Sequence, residues 1–279
     1  MHHSFAATLL LAEPWALDCA AIAATLRTRF PQIGAIDVAA LDDGAHNKGA
    51  VTIDSAMVTL EVSSTPLPAS SLSPALSTLK TWDSDAVVQG HAAHMTVSCK
   101  GPLLGGVDGA KAYAAVCHFV AAAAALVAPV QAVFWGTGWA LTEASAFIKT
   151  TSEILKGRMP ITSWVSFATI VPKGYQADTA SGMVTYGMRA FVGRELELAP
   201  RMDKPANAFR IVNGVSRKLL NSGDTLTDDL VLRMKTGPVT VSVAARDYWL
   251  RRNVPAYVLV TEDSLIEPGT LRPREAMQA

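Results

Sequence analysis

The most regular alternation of polar and apolar positions in the chain lies within Thr179–Pro200. The run Arg194–Leu198 (RELEL) changes between polar and apolar at every residue, and this period of two predicts a strand. Its two acidic residues, Glu195 and Glu197, then share one face of the strand, with their Cα atoms about 7 Å apart. This stretch is therefore the first place to look for a functional site.

Two interpretations of this carboxylate pair are open. Carboxylates at that spacing, helped by Asp224 or His94, could serve acid/base catalysis or bind a hard cation. Alternatively, Glu195 and Glu197 lie on the solvent face of an antiparallel sheet and are balanced by arginines such as Arg194. We favour the solvated face, because charged outer faces are the rule on such sheets.

The same periodicities assign further elements along the chain. Alternation and short β-branched runs predict strands, whereas apolar residues spaced three and four apart predict helices. The predicted strands lie at 5–11, 33–38, 50–53, 57–62, 94–99, 130–135, 163–171, 183–186, 194–198, 229–234, 239–244 and 256–261, and the predicted helices at 17–30, 74–80, 108–128, 143–156 and 205–220.

The order of these elements predicts an α+β fold with antiparallel or mixed sheets covered by helices. Strand, helix and strand follow one another twice in the first half, which gives it a ferredoxin-like, split βαβ character. We predict an N-terminal domain at 1–160 and a C-terminal domain at 161–268, because Gly157 and Pro160 end a helix. Residues 269–279 have no apolar pattern and are predicted to form a flexible tail.

Two apolar segments resemble membrane signals, and we interpret both as core elements. Residues 112–130 are as long as a membrane span, but they are mostly alanine, which favours a closely packed helix over membrane insertion. Residues 5–12 follow no Lys or Arg and end at Glu13-Pro14, which fits a first buried strand better than a signal peptide. We therefore predict a protein without a membrane-spanning segment.

Composition narrows the class of function. In 279 residues, 24 Lys and Arg balance 24 Asp and Glu, with no long run of one sign. With this charge balance we do not expect the basic surface that is typical of a nucleic-acid-binding protein. The scattered Cys19, Cys99 and Cys117 fit neither a zinc motif nor a disulfide framework and suit a reducing compartment. We predict a cytoplasmic protein that does not bind nucleic acid.

Motifs for metals and cofactors are weak. His91 and His94 are three residues apart, but they enter a predicted strand, in which such residues point to opposite faces. The glycine-rich segment 102–109 precedes a helix, yet it has neither the P-loop lysine nor the GxGxxG spacing. We predict no metal site and no cofactor.

A tryptophan-containing turn is a candidate for small-ligand binding. The segment Phe134–Trp139 (FWGTGW) places Trp135 and Trp139 around two glycines at the end of a predicted strand. The indole rings could line a pocket, and we count Tyr186 and Arg194 as further candidate ligand-binding residues. The alternative is a turn whose aromatic rings seal the edge of the core.

Five runs of the sequence carry a family resemblance. Together they resemble the bacterial family called domain of unknown function 4261, over most of the chain. One departure is that Val192 separates Phe191 from Gly193, where the family pattern has phenylalanine directly before glycine. The family has no assigned activity, so the resemblance implies only a bacterial, mostly soluble protein. The runs are WDSDAVVQGHAAHMTVSC (82–99), AVFWGTGWALTEASAFI (132–148), WVSF (164–167), VTYGMRAFVGRELEL (184–198) and SGDT (222–225).

Taken together, the sequence favours a non-enzymatic binding or adaptor protein of bacterial origin whose partner is another protein. The reason is that sequence signatures of catalysis, such as GxSxG and HExxH, are missing. A cation-assisted hydrolase that uses Glu195 and Glu197 and a small-ligand-binding protein are the alternatives. The identity of the partner and the oligomeric state stay open at this point.

Overall fold

The computed structural model describes residues 2–40, 47–78, 82, 84–102, 106–245 and 253–265. The chain forms two compact units, Met1–Ser166 and Phe167–Ala279, and their division falls just after the predicted boundary at 160/161. Each unit builds a sheet with helices, which confirms the α+β class with antiparallel and mixed sheets. The predicted tail at 269–279 lies outside the described residues.

The first unit contains a seven-stranded sheet in the order β2-β3-β4-β5-β1-β6-β7, and its neighbouring strands pair antiparallel. The connection from β1 to β2 passes over three strands of this sheet, and the connection from β5 to β6 passes over one, β1. The ferredoxin-like character stays a prediction. The strands are β1 His2–Leu11, β2 Ile36–Ala40, β3 Lys48–Ile53, β4 Ala56–Ser63, β5 Ala93–Pro102, β6 Val130–Trp135 and β7 Ala140–Glu143.

The central helix of this unit is α4, Gly106–Val127. It is apolar and long enough to cross a membrane, but 61% of its most apolar window is buried inside the protein. It packs on β1 and β5 and is flanked by α1, Cys19–Arg29, and α5, Ala144–Leu155. The Cys117 thiol donates to two carbonyls of the sheet, Phe5 O at 3.7 Å and Val97 O at 3.6 Å. The prediction of a core helix is confirmed.

Two short helices cover part of the opposite face of the sheet. They are α2, Ala69–Leu76, and α3, Asp85–Gly90, and they replace the single helix predicted at 74–80. The cluster under them joins Leu72 and Val88 to Leu10 and Phe134 of the sheet. Helix α2 was not predicted because the sequence around it is rich in proline. Pro74 lies inside the helix, whereas a proline usually indicates that a helix ends. Single 3₁₀ turns lie at Pro31–Ile33 and Gly136–Gly138.

The second unit contains a six-stranded mixed sheet in the order β11-β12-β13-β10-β9-β8. Helix α8, Pro205–Ser222, packs on β9 and β10 through an apolar face that includes Ile211, Val215 and Leu219. Between β10 and β13 the pairing is parallel. The strands are β8 Ser166–Ile170, β9 Ser181–Tyr186, β10 Glu195–Arg201, β11 Val231–Met234, β12 Gly237–Ala244 and β13 Ala256–Thr261; the short helices are α6 Ile161–Trp164, at the end of the first unit, and α7 Arg189–Val192.

The close approach of β9 and β10 depends on Gly182. A Cβ atom added at Gly182 would lie 2.5 Å from Leu198 O and 3.0 Å from Pro200 N. These are backbone atoms of the neighbouring strand, so a side-chain rotation cannot relieve the clash. A glycine in a strand interior often marks this kind of backbone approach.

We therefore expect Gly182→Ala to lower the free energy of unfolding of the second unit by about 1–3 kcal/mol, the usual cost of overpacking. The measurement is chemical denaturation followed by circular dichroism. Gly90→Ala is the matched control, because a Cβ there meets nothing within 4 Å. An equal loss in both variants would contradict this role of Gly182.

Candidate functional site

The carboxylate of Glu195 is bound by its own chain. Its Oε2 accepts from Thr185 Oγ1 at 2.7 Å and from Met188 N at 3.1 Å. Its Oε1 accepts from Gly187 N at 2.9 Å and from Arg189 N at 3.4 Å. Glu195 is only 6% exposed, so these donors replace the water that a carboxylate would otherwise bind. The residue fixes the turn between β9 and β10.

That turn contains α7, a helical turn that the period-two pattern did not predict. The backbone N–H groups that Glu195 accepts from lead into α7, where a helix has free donors and favours negative charge. Gly187 has φ +110° and Gly193 has φ +75°, a conformation that favours glycine. The N–H of Gly193 caps the turn at Arg189 O, 3.0 Å away. The residue before Gly193 that departs from the family pattern, Val192, is thus the last residue of α7.

The expectation of a solvated acidic face is wrong. Glu197 is 0% exposed, and every residue of β10 is buried. The alternation of polar and apolar residues does mark a strand, but both of its faces lie inside the protein. A strand with charged residues on one face normally exposes that face to water. Here the buried Glu195 carboxylate is stable because backbone N–H groups and a hydroxyl donate hydrogen bonds to it.

The other proposed catalytic residues do not join the glutamates in one described cluster. Asp224 is exposed in the segment that follows α8. His94 belongs to β5 of the first unit, where its Nδ1 lies 2.8 Å from Thr65 O. His91 accepts from Leu67 N at Nε2, so its Nδ1 carries the proton that it donates to Val88 O. Within the described ranges, no three His, Cys, Asp or Glu side chains form a metal-binding group.

Arg194 is bound within the second unit. Its Nη1 donates to Ala244 O at 2.6 Å, and its guanidinium carbon lies 5.5 Å from the centre of the Tyr257 ring. That geometry is a cation–π contact, which adds to the hydrogen bond. Tyr186 ends β9 and is partly buried. Arg194 therefore joins β10 to β12 and β13.

The two tryptophans of the predicted turn pack on opposite faces of the first sheet. Trp135 is fully buried on the α4 side, where its ring centre lies 5.9 Å from that of Trp164. Trp139 has a left-handed backbone, with φ 49°, and packs against the cluster under α2 and α3. The two indole rings therefore do not line one pocket.

A chain of hydrogen bonds crosses the core beside Trp135. Trp164 Nε1 donates to His118 Nδ1 at 3.1 Å, which leaves the proton of the neutral imidazole on Nε2. That nitrogen donates to Thr150 Oγ1 at 3.2 Å, and the hydroxyl donates to Phe147 O at 2.7 Å. The His118 ring also stacks on Phe147 at 3.9 Å. Burial lowers the pKa of His118 to about 3.

An ion-pair cluster that the sequence did not reveal lies at the carboxyl end of the parallel pair β10 and β13. Arg201 is 7% exposed, and its Nη2 lies 2.9 Å from Asp263 Oδ2 and 3.2 Å from Asp203 Oδ2. Asp203 Oδ1 also accepts from Lys204 N and Asn207 Nδ2, which ties the cluster to the start of α8. Asp263 and Arg201 are distant in sequence. They meet because β10 and β13 pair, so the cluster cannot be predicted without knowing that pairing.

Four large apolar side chains are exposed in the loop before β9 and in the segments after β10 and β13. The loop before β9 and the segments after β10 and β13 lie at the same end of the sheet, because Arg201 pairs with Ser181 and Leu265 N donates to Pro200 O. Exposed aromatic and aliphatic groups gathered in this way typically mark an interaction site. We call this set the carboxyl-end surface: Val171, Tyr175, Met202 and Leu265, with exposed fractions of 43%, 45%, 55% and 39%.

Comparison with known proteins adds no relative. No family model, no curated protein and no solved structure matches this chain. The resemblance to domain of unknown function 4261 therefore stays a proposal, and the function has to be argued from the geometry of the chain itself.

Replacing Glu195 tests whether its carboxylate is structural. We expect Glu195→Gln to lower the free energy of unfolding by about 1–3 kcal/mol, because an amide N–H₂ cannot accept from buried N–H donors. Urea denaturation measures the change. Asp224→Asn, at an exposed position, is the control and should stay within about 0.5 kcal/mol of the parent. Equal stability of the two variants would show that the Glu195 bonds contribute nothing.

The lowered pKa of His118 predicts acid sensitivity. The unfolded chain takes up a proton near pH 6.5, whereas folded His118 does so only near pH 3, so stability falls as the pH falls between these values. The slope contributed is about 1.4 kcal/mol per pH unit. We expect His118→Gln to remove this component, measured as the difference between the unfolding free energies of parent and variant from pH 7 to pH 4. A constant difference would contradict it.

Proposed function

We propose that the chain is a non-enzymatic binding protein whose protein partner docks on the carboxyl-end surface of the second unit. The observation that carries the proposal is that four large apolar side chains are exposed in the loop and segments that adjoin one end of this sheet. Binding sites are often found in the loops at the end of a sheet, because the rigid strands hold the loop residues in place. Tyr and Met are also among the residues enriched in protein interfaces.

The charged cluster beneath this surface supports the same function. Arg201, Asp203 and Asp263 hold the segments after β10 and β13 together, so Met202 and Leu265 project from anchored backbone. A preorganised surface loses less conformational entropy when a partner binds. Asp263 has 66% of its side chain exposed, so this end of the sheet presents a charge as well as apolar side chains. Protein interfaces usually combine apolar and polar groups.

The two alternative functions rank below this proposal. A cation-assisted hydrolase would need the Glu195 carboxylate, whose oxygens already accept from a hydroxyl and three backbone N–H groups. A small-ligand site at the tryptophan turn would need Trp135 and Trp139 on one side of the sheet. A bacterial origin and a cytoplasmic location belong to the proposal, because they rest on the family resemblance and on the three cysteines of the sequence.

Site-specific photocrosslinking in lysate of the source cells tests the docking surface. A photoreactive residue at Met202 is expected to crosslink a partner, and the same probe at Met57 is the control, because that side chain is 51% exposed in the other unit. Met202→Asp should then weaken binding of the purified partner at least tenfold, about 1.4 kcal/mol. A partner that crosslinks equally from Met57, or that binds Met202→Asp unchanged, would overturn the proposal.

A further inference from the structure

Among the described strands, β2 forms one edge of the seven-stranded sheet, with a strand neighbour on one side only. The turn Asp54-Ser55 pairs Ile53 with Ala56, so the N–H and C=O of Ile53 point to β4 and not to β2. On the other side, Asp54 N donates to Ala35 O at 2.8 Å, so the bonds to β3 start at Ala35. In an antiparallel ladder, the backbone N–H and C=O groups of successive residues point alternately to one neighbouring strand and to the other side. The backbone groups of residues 36, 38 and 40 therefore face away from β3.

Val38 marks the place where the core layer ends. Val38 of β2 pairs with Val51 of β3, and Val51 pairs in turn with Val58 of β4. Val51 and Val58 are both fully buried. Val38 has the same orientation as they have, towards the helix side of the sheet, yet it is 43% exposed. An apolar side chain in this layer is covered only if the sheet and its helix layer continue past β2.

Strand β2 carries few of the features that discourage edge pairing. It is short and has one charged residue, Asp37, but its sequence, IDVAA, contains no proline or lysine, and it pairs with β3 in regular register. Arg27 reaches over from α1, where its Nη2 donates to Ile36 O at 2.6 Å. A carbonyl oxygen has two lone pairs, so Ile36 O can accept a second bond from a neighbouring strand.

We propose that β2 pairs antiparallel with β2 of a second copy of this chain, with Val38 opposite Val38 on a two-fold axis. Such a contact is isologous and closes as a dimer. Ile36 then faces Ala40 of the other copy, and Asp37 faces Ala39, so like charges do not meet directly. The surface lies in the first unit and does not depend on the proposed function.

A second copy fits this edge better than a free extended peptide. A peptide would satisfy the outward N–H and C=O groups, but it brings no helix layer to cover Val38. The second copy brings both its strand and its α1 layer, and its own exposed Val38 packs on the first. The pairing extends the two sheets into one and removes this exposed edge from each.

Sedimentation equilibrium over a dilution series of the purified full chain tests the pairing. The parent is expected to form a dimer, and Val38→Lys is expected to weaken self-association at least tenfold, because two lysines would meet at the two-fold axis. Met57→Lys, an exposed position in β4 of the same sheet, should dimerise like the parent. A parent that is monomeric at every concentration, or a Val38→Lys variant that dimerises as the parent does, overturns the proposal.

Disulfide trapping provides a second readout that does not depend on weakening the edge. In the proposed pairing, the two Val38 Cα atoms lie about 5.5 Å apart, within the range that a disulfide spans. Val38→Cys in a Cys19→Ser background should therefore form a covalent dimer on mild oxidation, faster than Ala39→Cys in the same background. Equal rates for the two positions, or no covalent dimer with Val38→Cys, would contradict the register.

Discussion

The bonds to the carboxylate of Glu195 are the constraint on which the second unit depends. A buried carboxylate is costly unless hydrogen bonds replace its water, and here a hydroxyl and three backbone N–H groups of the preceding turn do so. Those bonds join the end of β9 to the start of β10, so they set where β10 enters the sheet. The parallel pairing with β13 and the position of Arg201 follow from that entry.

The first unit buries its polar groups by the same rule. His118 stays neutral inside an aromatic core because one ring nitrogen accepts from Trp164 and the other donates to Thr150. In both units, then, the most conspicuous titratable side chains are used to join elements of the fold. Residue type and spacing alone made Glu195 a catalytic candidate, although its carboxylate holds a turn of the fold. The groups on which our two proposals rest lie elsewhere, at the edge strand β2 and at the carboxyl end of the second sheet.

The spacing of polar and apolar residues predicted those helices and strands in which one pattern continues along the whole element. The apolar stripe of α8, the alanine-rich α4 and the alternation in β10 all correspond to observed elements. Period two could not reveal that β10 is buried on both faces, because a polar residue in a strand normally faces water. It also missed α7, since four residues are too few to show a helical period and the signal lay in the glycines on either side.

The carboxyl-end surface lay beyond prediction for a different reason. Arg201 and Asp263 are far apart in sequence and meet because β10 pairs with β13, a parallel neighbour that local patterns do not specify. The exposed residues around them come from three separate segments, and each alone is an ordinary surface residue. Only the strand order turns Val171, Met202 and Leu265 into a set. The surface that we propose for docking therefore depends on strand order more than on any sequence motif, because strand order decides which segments meet at one end of a sheet.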